Sequence, residues 1–95
     1  MHNFYSFEYI KIPMNIFSNY QLSAGSKILF AEILSLAKKD GYCYASNRYL
    51  ADSLAVSTRT ITNRIRELKE ENLIKIENSK NRNRRLFIIN KSQYE

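Results

Sequence analysis

Arg59, Asn63 and Arg66 recur at i, i+4 and i+7 in a stretch whose alternate positions are Ile61, Ile65 and Leu68. At about 100° per residue, a helix that buries those three apolar side chains turns Arg59, Asn63, Arg66 and Glu70 outward, with Thr62 alongside. A merely solvated face tends towards Glu and Lys; this one carries a different chemistry. Arginine can donate two hydrogen bonds to a guanine edge, asparagine can pair with adenine, and threonine can meet a thymine methyl. Ser57, Thr58 and Thr60 stand at the start of the same stretch, where hydroxyls and unpaired backbone N–H groups suit phosphate oxygens. Ordinary surface polarity with a helix cap would look similar residue by residue. What favours recognition is the context: a second short amphipathic stretch before it and a basic segment after it.

The elements that must hold those residues are legible around them. Ser46 caps a helix from Asn47 to about Leu54 that turns Leu50, Ala51 and Leu54 inward. Such a helix commonly crosses the nucleic-acid backbone, so Asn47 and Arg48 at its start are candidate phosphate contacts. Ala55-Val56 makes the turn, and Ser57 caps the next helix, Thr58 to about Asn72. Ile74, Ile76 and then Leu86 to Ile89 flank a polar loop and read as a hairpin with its tip at residues 78–84. Upstream, Ser23 caps a helix to about Lys38 or Lys39 whose apolar residues cover most of its circumference, which predicts a central, largely buried helix. Asp40-Gly41 stops it, and Tyr42-Cys43-Tyr44 is a short β-forming piece. Phe4 to Ile12 is aromatic and β-favouring and predicts a strand ended by Pro13; Met14 to Tyr20 predicts a helical turn with Ile16 and Phe17 packed inward. The fold class expected is mainly α with a small β-hairpin.

Composition supports one small domain. The chain has 95 residues, 44% of them hydrophobic, and a formal net charge of +6. That charge is concentrated: between Asn78 and Lys91 lie Lys80, Arg82, Arg84, Arg85 and Lys91 and no acid. A block of this kind attracts polyanions. The single cysteine, Cys43, allows no internal disulfide and reads as a small buried hydrophobe in a reducing compartment. Neither a signal peptide nor a membrane span is apparent, so a cytoplasmic, nucleoid-associated protein with no membrane partner is expected. His2, the only histidine, offers no metal site with Cys43 alone. Glu67, Glu70 and Glu71 share their helix with Arg64, Arg66 and Lys69, and ion pairs at i, i+3 or i+4 account for them better than acid–base chemistry. With no nucleophile–base pair and no glycine-rich phosphate loop, no enzyme activity, catalytic residue, metal or cofactor is expected.

The segment LADSLAVSTRTITNRIRELKEENLIKI, Leu50 to Ile76, resembles the winged helix-turn-helix pattern. The resemblance implies that Leu50, Ala51 and Leu54 pack the first helix, that Thr58 to Glu71 is the recognition helix, and that Leu73-Ile74 leads into the wing. Asn72 stands where many relatives have glycine, and asparagine also takes the left-handed conformation needed there. A wider resemblance covers FEYIKIPMNIF and LSAGSKILFAEILSLAKKDGYCYASNRYLA, which are similar to the helix-turn-helix domains of phage and plasmid replication-initiation or replisome-organiser proteins of Gram-positive bacteria. In that frame residues 1–95 form one winged helix-turn-helix domain: an N-terminal extension over 1–20, a first core helix over 23–39, the helix-turn-helix over 46–72 and the wing hairpin over 73–90.

The function expected is sequence-specific binding of double-stranded DNA, as a transcriptional regulator or an origin-binding protein of a mobile element. Its candidate contacts are Asn47, Arg48, Ser57, Thr58, Arg59, Thr60, Thr62, Asn63 and Arg66, with Lys80, Arg82, Arg84 and Arg85 of the wing on phosphates. Four wing contacts imply a log–log salt slope of about −3.6. The alternative is a protein-interaction module, an antirepressor or a host-factor inhibitor, in which Arg59, Asn63 and Arg66 meet an acidic partner. RNA binding ranks last, for want of aromatic stacking motifs on a sheet. A homodimer would read two half-sites; Phe4, Tyr5, Phe7 and Tyr9 either form that contact or fold back on their own core.

Overall fold

Among the described residues of the computed structural model, 10–78 and 84–94, helices α1 (Met14–Phe17), α2 (Ala24–Leu36), α3 (Asn47–Leu54) and α4 (Thr58–Glu70) precede strands β1 (Ile74–Asn78) and β2 (Arg84–Ile88). A 3-10 turn, Lys91–Tyr94, follows. The wing tip, including Lys80 and Arg82, and the aromatic segment at Phe4 to Tyr9 lie outside the described residues. The architecture is an α+β winged helix-turn-helix.

Each of the three longer helices starts on the serine that the sequence singles out. Ser23 accepts from the Ser26 N–H, Ser46 from Tyr49 and Ser57 from Thr60, satisfying one donor that the first helical turn leaves open. Two of the helices stop by left-handed closure. Ala55 (φ 59°) closes α3 while the Val56 N–H reaches back to Ala51 O at 3.0 Å. Asn72 (φ 59°) follows α4, with the Asn72 N–H on Lys69 O and the Leu73 N–H on Leu68 O, both at 3.0 Å. These are Schellman closures. They set the angle at which the chain enters α4 and leaves it for the wing.

Leu29, Phe30 and Ile33 of α2, Leu50 of α3, Ile61 and Leu68 of α4, Ile74 of β1 and Leu86 of β2 form the core. The spacing of Ile61, Ile65 and Leu68 does what it predicts, and all three are buried. The hairpin pairs Ile74 with Ile88, Ile76 with Leu86 and Asn78 with Arg84. Cys43 adds a third extended piece, exchanging two backbone bonds with Leu86 at 2.9 and 2.8 Å. That bridge ties the segment before α3 to the wing. Burial raises the Cys43 thiol above its ordinary pKa, as a small core residue requires.

Several expectations change. Phe17 is 59% exposed rather than packed inward, because the one-turn α1 can bury one side chain and Ile16 occupies that position. Residues Ile10 to Pro13 are not a strand; Pro13 instead caps α1, its carbonyl receiving the Ile16 and Phe17 N–H groups. Helix α2 ends at Leu36 and α4 at Glu70, each a turn or less earlier than expected. Arg64, Arg66 and Lys69 form no ion pair with Glu67, Glu70 or Glu71; among the described residues the pairs are Arg48–Asp52 and Lys75–Glu77. Glu67 instead crosses to the start of α2. There its carboxylate accepts from the hydroxyls of Ser23 (2.9 Å) and of the fully buried Ser26. Beside it the Arg64 guanidinium lies directly over Gly25, in the space a Cβ would take.

Candidate nucleic-acid interface

Helix α4 is anchored from behind by Ile61, Ile65 and Leu68, and its outward side presents Arg59, Thr62, Asn63, Arg66 and Glu70, all exposed. Arg59 has no hydrogen-bond or ionic partner among the described residues. The Arg66 guanidinium donates to Asn63 Oδ1 at 2.9 Å, one helical turn away. That bond leaves the remaining Arg66 donors and the Asn63 amide N–H groups without a partner among the described residues. Guanidinium and amide N–H groups are donors of the kind that base edges accept.

At the start of α4 the hydroxyls divide. Ser57 Oγ accepts the Thr60 N–H at 3.1 Å and donates to Thr60 Oγ1 at 3.0 Å, so Ser57 works as the cap and Thr60 is half-buried beside it. The N–H groups of Thr58 and Arg59, which no intrahelical carbonyl can reach, remain open, and Thr58 is exposed.

Between the helices and the wing runs a relay of hydrogen bonds that residue spacing did not reveal. Arg84 donates through one arm to Asn47 Oδ1 and through the other to Ala45 O, both at 2.6 Å. Asn47 Nδ2 donates to Thr62 Oγ1 at 3.1 Å, and Thr62 Oγ1 donates to Thr58 O at 3.1 Å. The relay fixes the amide orientation of Asn47, since its oxygen must face the arginine. Arg84 is half-buried, and burial draws its guanidinium pKa below the ordinary value. Arg84 therefore does not stand as a free wing cation. The signal lay in strand periodicity: Leu86 and Ile88 point inward, so Arg84 shares their side of β2 and Arg85 takes the other.

The outer side of the wing is aromatic and cationic. Arg85 lies over the Tyr42 ring (4.8 Å), Tyr42 packs against Phe87 (5.4 Å) and Tyr44 (6.3 Å), and Lys75 lies over Phe87 (5.9 Å). Tyr42 sits in the seam with the hairpin; Tyr44 is 66% exposed. Arg48, at the start of α3, pairs with Asp52 at 3.5 Å in full solvent, a contact weak enough to exchange for a phosphate. Thus Arg59, Thr62, Asn63 and Arg66 share one surface, Asn47 and Arg84 brace it from the side, and Arg85 stands apart on the wing. Among the described residues no group of three or more His, Cys, Asp or Glu could hold a metal, and no helix is long and apolar enough to cross a membrane.

A helix-turn-helix domain family model matches residues 20–74, which span α2, α3, α4 and the first residue of β1. The chain belongs to the helix-turn-helix domain family. A solved structure described as the N-terminal domain of a DNA binding protein is similar in fold, with a TM-score of 0.66 and 22% identity over 85% of this chain and 73% of that one. No curated protein matches in sequence.

Proposed function

We propose that this domain binds double-stranded DNA in a sequence-dependent way, with α4 in the major groove, the start of α3 on the adjacent backbone and the wing beside it. The observation that carries the reading is the outer face of α4. There Arg59, without a partner among the described residues, and a hydrogen-bonded Asn63–Arg66 pair are exposed while the helix is fixed by its core side. Membership of the helix-turn-helix family and the likeness in fold to a domain of a DNA binding protein support the same reading. Thr58 and the open N–H groups of the first turn suit a phosphate. Arg59, Asn63 and Arg66 address bases, and Arg48, Lys80, Arg82 and Arg85 address the backbone. Regulation of transcription, or recognition of a replication origin on a mobile element, is the role this binding would serve.

Fluorescence titration of a mixed-sequence duplex at two salt concentrations tests the reading. With Arg84 withdrawn, three wing cations contribute about −2.7 to the log–log slope rather than about −3.6. An Arg59/Arg66 double alanine variant should lose sequence preference. Association no stronger than that of any basic protein would instead favour a protein-only module that meets an acidic partner. Reading two half-sites further requires a homodimer; a monomeric mass in concentrated solution would remove that part of the proposal.

A further inference from the structure

Thr62 combines two properties seldom found together on a recognition surface: the residue is exposed, yet its polar atom is already engaged. Its hydroxyl proton goes to Thr58 O, and one of its lone pairs receives Asn47 Nδ2. Asn47 is held in turn by Arg84, whose second arm is on Ala45 O. Three elements, α3, α4 and β2, therefore hold the Thr62 side chain in one rotamer. A threonine side chain carries two groups beyond Cβ. With Oγ1 turned back along the helix and across to α3, the group left for a partner is the Cγ2 methyl. In the major groove the base edge that offers a matching apolar group is thymine, through its C5 methyl.

We infer that Thr62 is a specificity-determining residue that packs its Cγ2 methyl against a thymine methyl, and that Asn47 and Arg84 are its positioning residues. The inference rests on the DNA-binding reading and sharpens it. One base of the target is assigned to a methyl–methyl contact, and two residues that look like phosphate ligands in sequence are assigned to holding the reader.

The experiment uses a duplex selected by the intact chain from a random pool, with deoxyuridine replacing each thymine in turn. One replacement should weaken binding about fourfold, the effect of a buried methyl-sized group. Thr62→Val, which keeps a methyl but removes the anchored hydroxyl, should keep a reduced thymine-to-uracil ratio, as Asn47→Ala does. Thr62→Ser, which does the reverse, should abolish it. Arg84→Gln and Asn47→Ala should shrink the ratio while leaving the salt slope unchanged. An Arg84 that contacts phosphate would instead lower the slope by about 0.9 and leave the ratio alone, overturning the positioning role. A flat uridine scan in a chain that selects and binds its duplex overturns the inference while DNA binding stands. So does a preference kept by Thr62→Ser and lost by Thr62→Val. Failure to select any duplex overturns the DNA reading itself, and the inference with it.

Discussion

On its α2 side, helix α4 is held by a charge: Glu67 reaches the capping hydroxyls of Ser23 and Ser26, with the Arg64 guanidinium lying over Gly25 beside it. On its α3 side it is held by neutral groups, Thr62 and Asn47, backed by the cation of Arg84. The two junctions do the same mechanical work with opposite electrostatics. The α2 junction takes a carboxylate, and the α3 junction contains none. A helix carrying Arg59, Arg64 and Arg66 thereby commits one arginine to packing and leaves one fully open, a distinction invisible in residue type. Arg59 takes part in neither junction, so binding and stability should separate between that arginine and the residues that hold the helix.

The largest separation should come from Arg59. Arg59→Ala is expected to weaken duplex binding roughly tenfold to a hundredfold, the range of a lost bidentate base contact, with the urea midpoint nearly unchanged. Equal losses of both would make Arg59 structural and erase the contrast. Glu67→Ala should behave in the opposite way. It leaves the Ser26 proton in a fully buried site without its acceptor and is expected to cost about 1–3 kcal/mol in urea unfolding, with affinity per folded molecule preserved. Next in size is Ala55→Gly. A left-handed alanine costs about 1–2 kcal/mol relative to favoured conformations, so glycine should stabilise the turn by about 1 kcal/mol and leave binding as it was. Thermal denaturation at fixed pH checks it.

The smallest effect is on pH dependence. The Ser26 hydroxyl bonded to the Glu67 carboxylate, against the weaker opposite pull of burial, holds this group below its ordinary value of 4.5. A depressed carboxyl contributes stability that is fully present above about pH 4.5 and is lost as pH falls through its lower folded value. Unfolding followed from pH 6 to pH 3 should therefore decline more steeply in the wild type than in Glu67→Gln. Parallel curves would mean that the α2 junction holds without its charge.

Much of this molecule was legible in its residues. Serines 23, 46 and 57 mark helix starts because a hydroxyl there satisfies a donor that the helix leaves open, a purely local requirement. Ile61, Ile65 and Leu68 locate the buried side of α4, and so its outer side, because helical periodicity is local too. Asn72 announces its own left-handed turn. Phe17 misled because a one-turn helix has too little buried surface for two large side chains.

What chain order could not convey is which polar groups meet across the fold. Arg84 and Arg85 are neighbours of identical chemistry, yet strand alternation and the Cys43–Leu86 bridge carry one against α3 and leave the other over Tyr42. Glu67 has a cation within helical reach, Arg64 one turn before it, and bonds instead to serines 41 and 44 positions away. Local spacing determined the helices and their faces, since a hydrogen-bonded turn spans only a few residues. Pairings between elements depend on crossing distances and angles, and only the packed chain decides those.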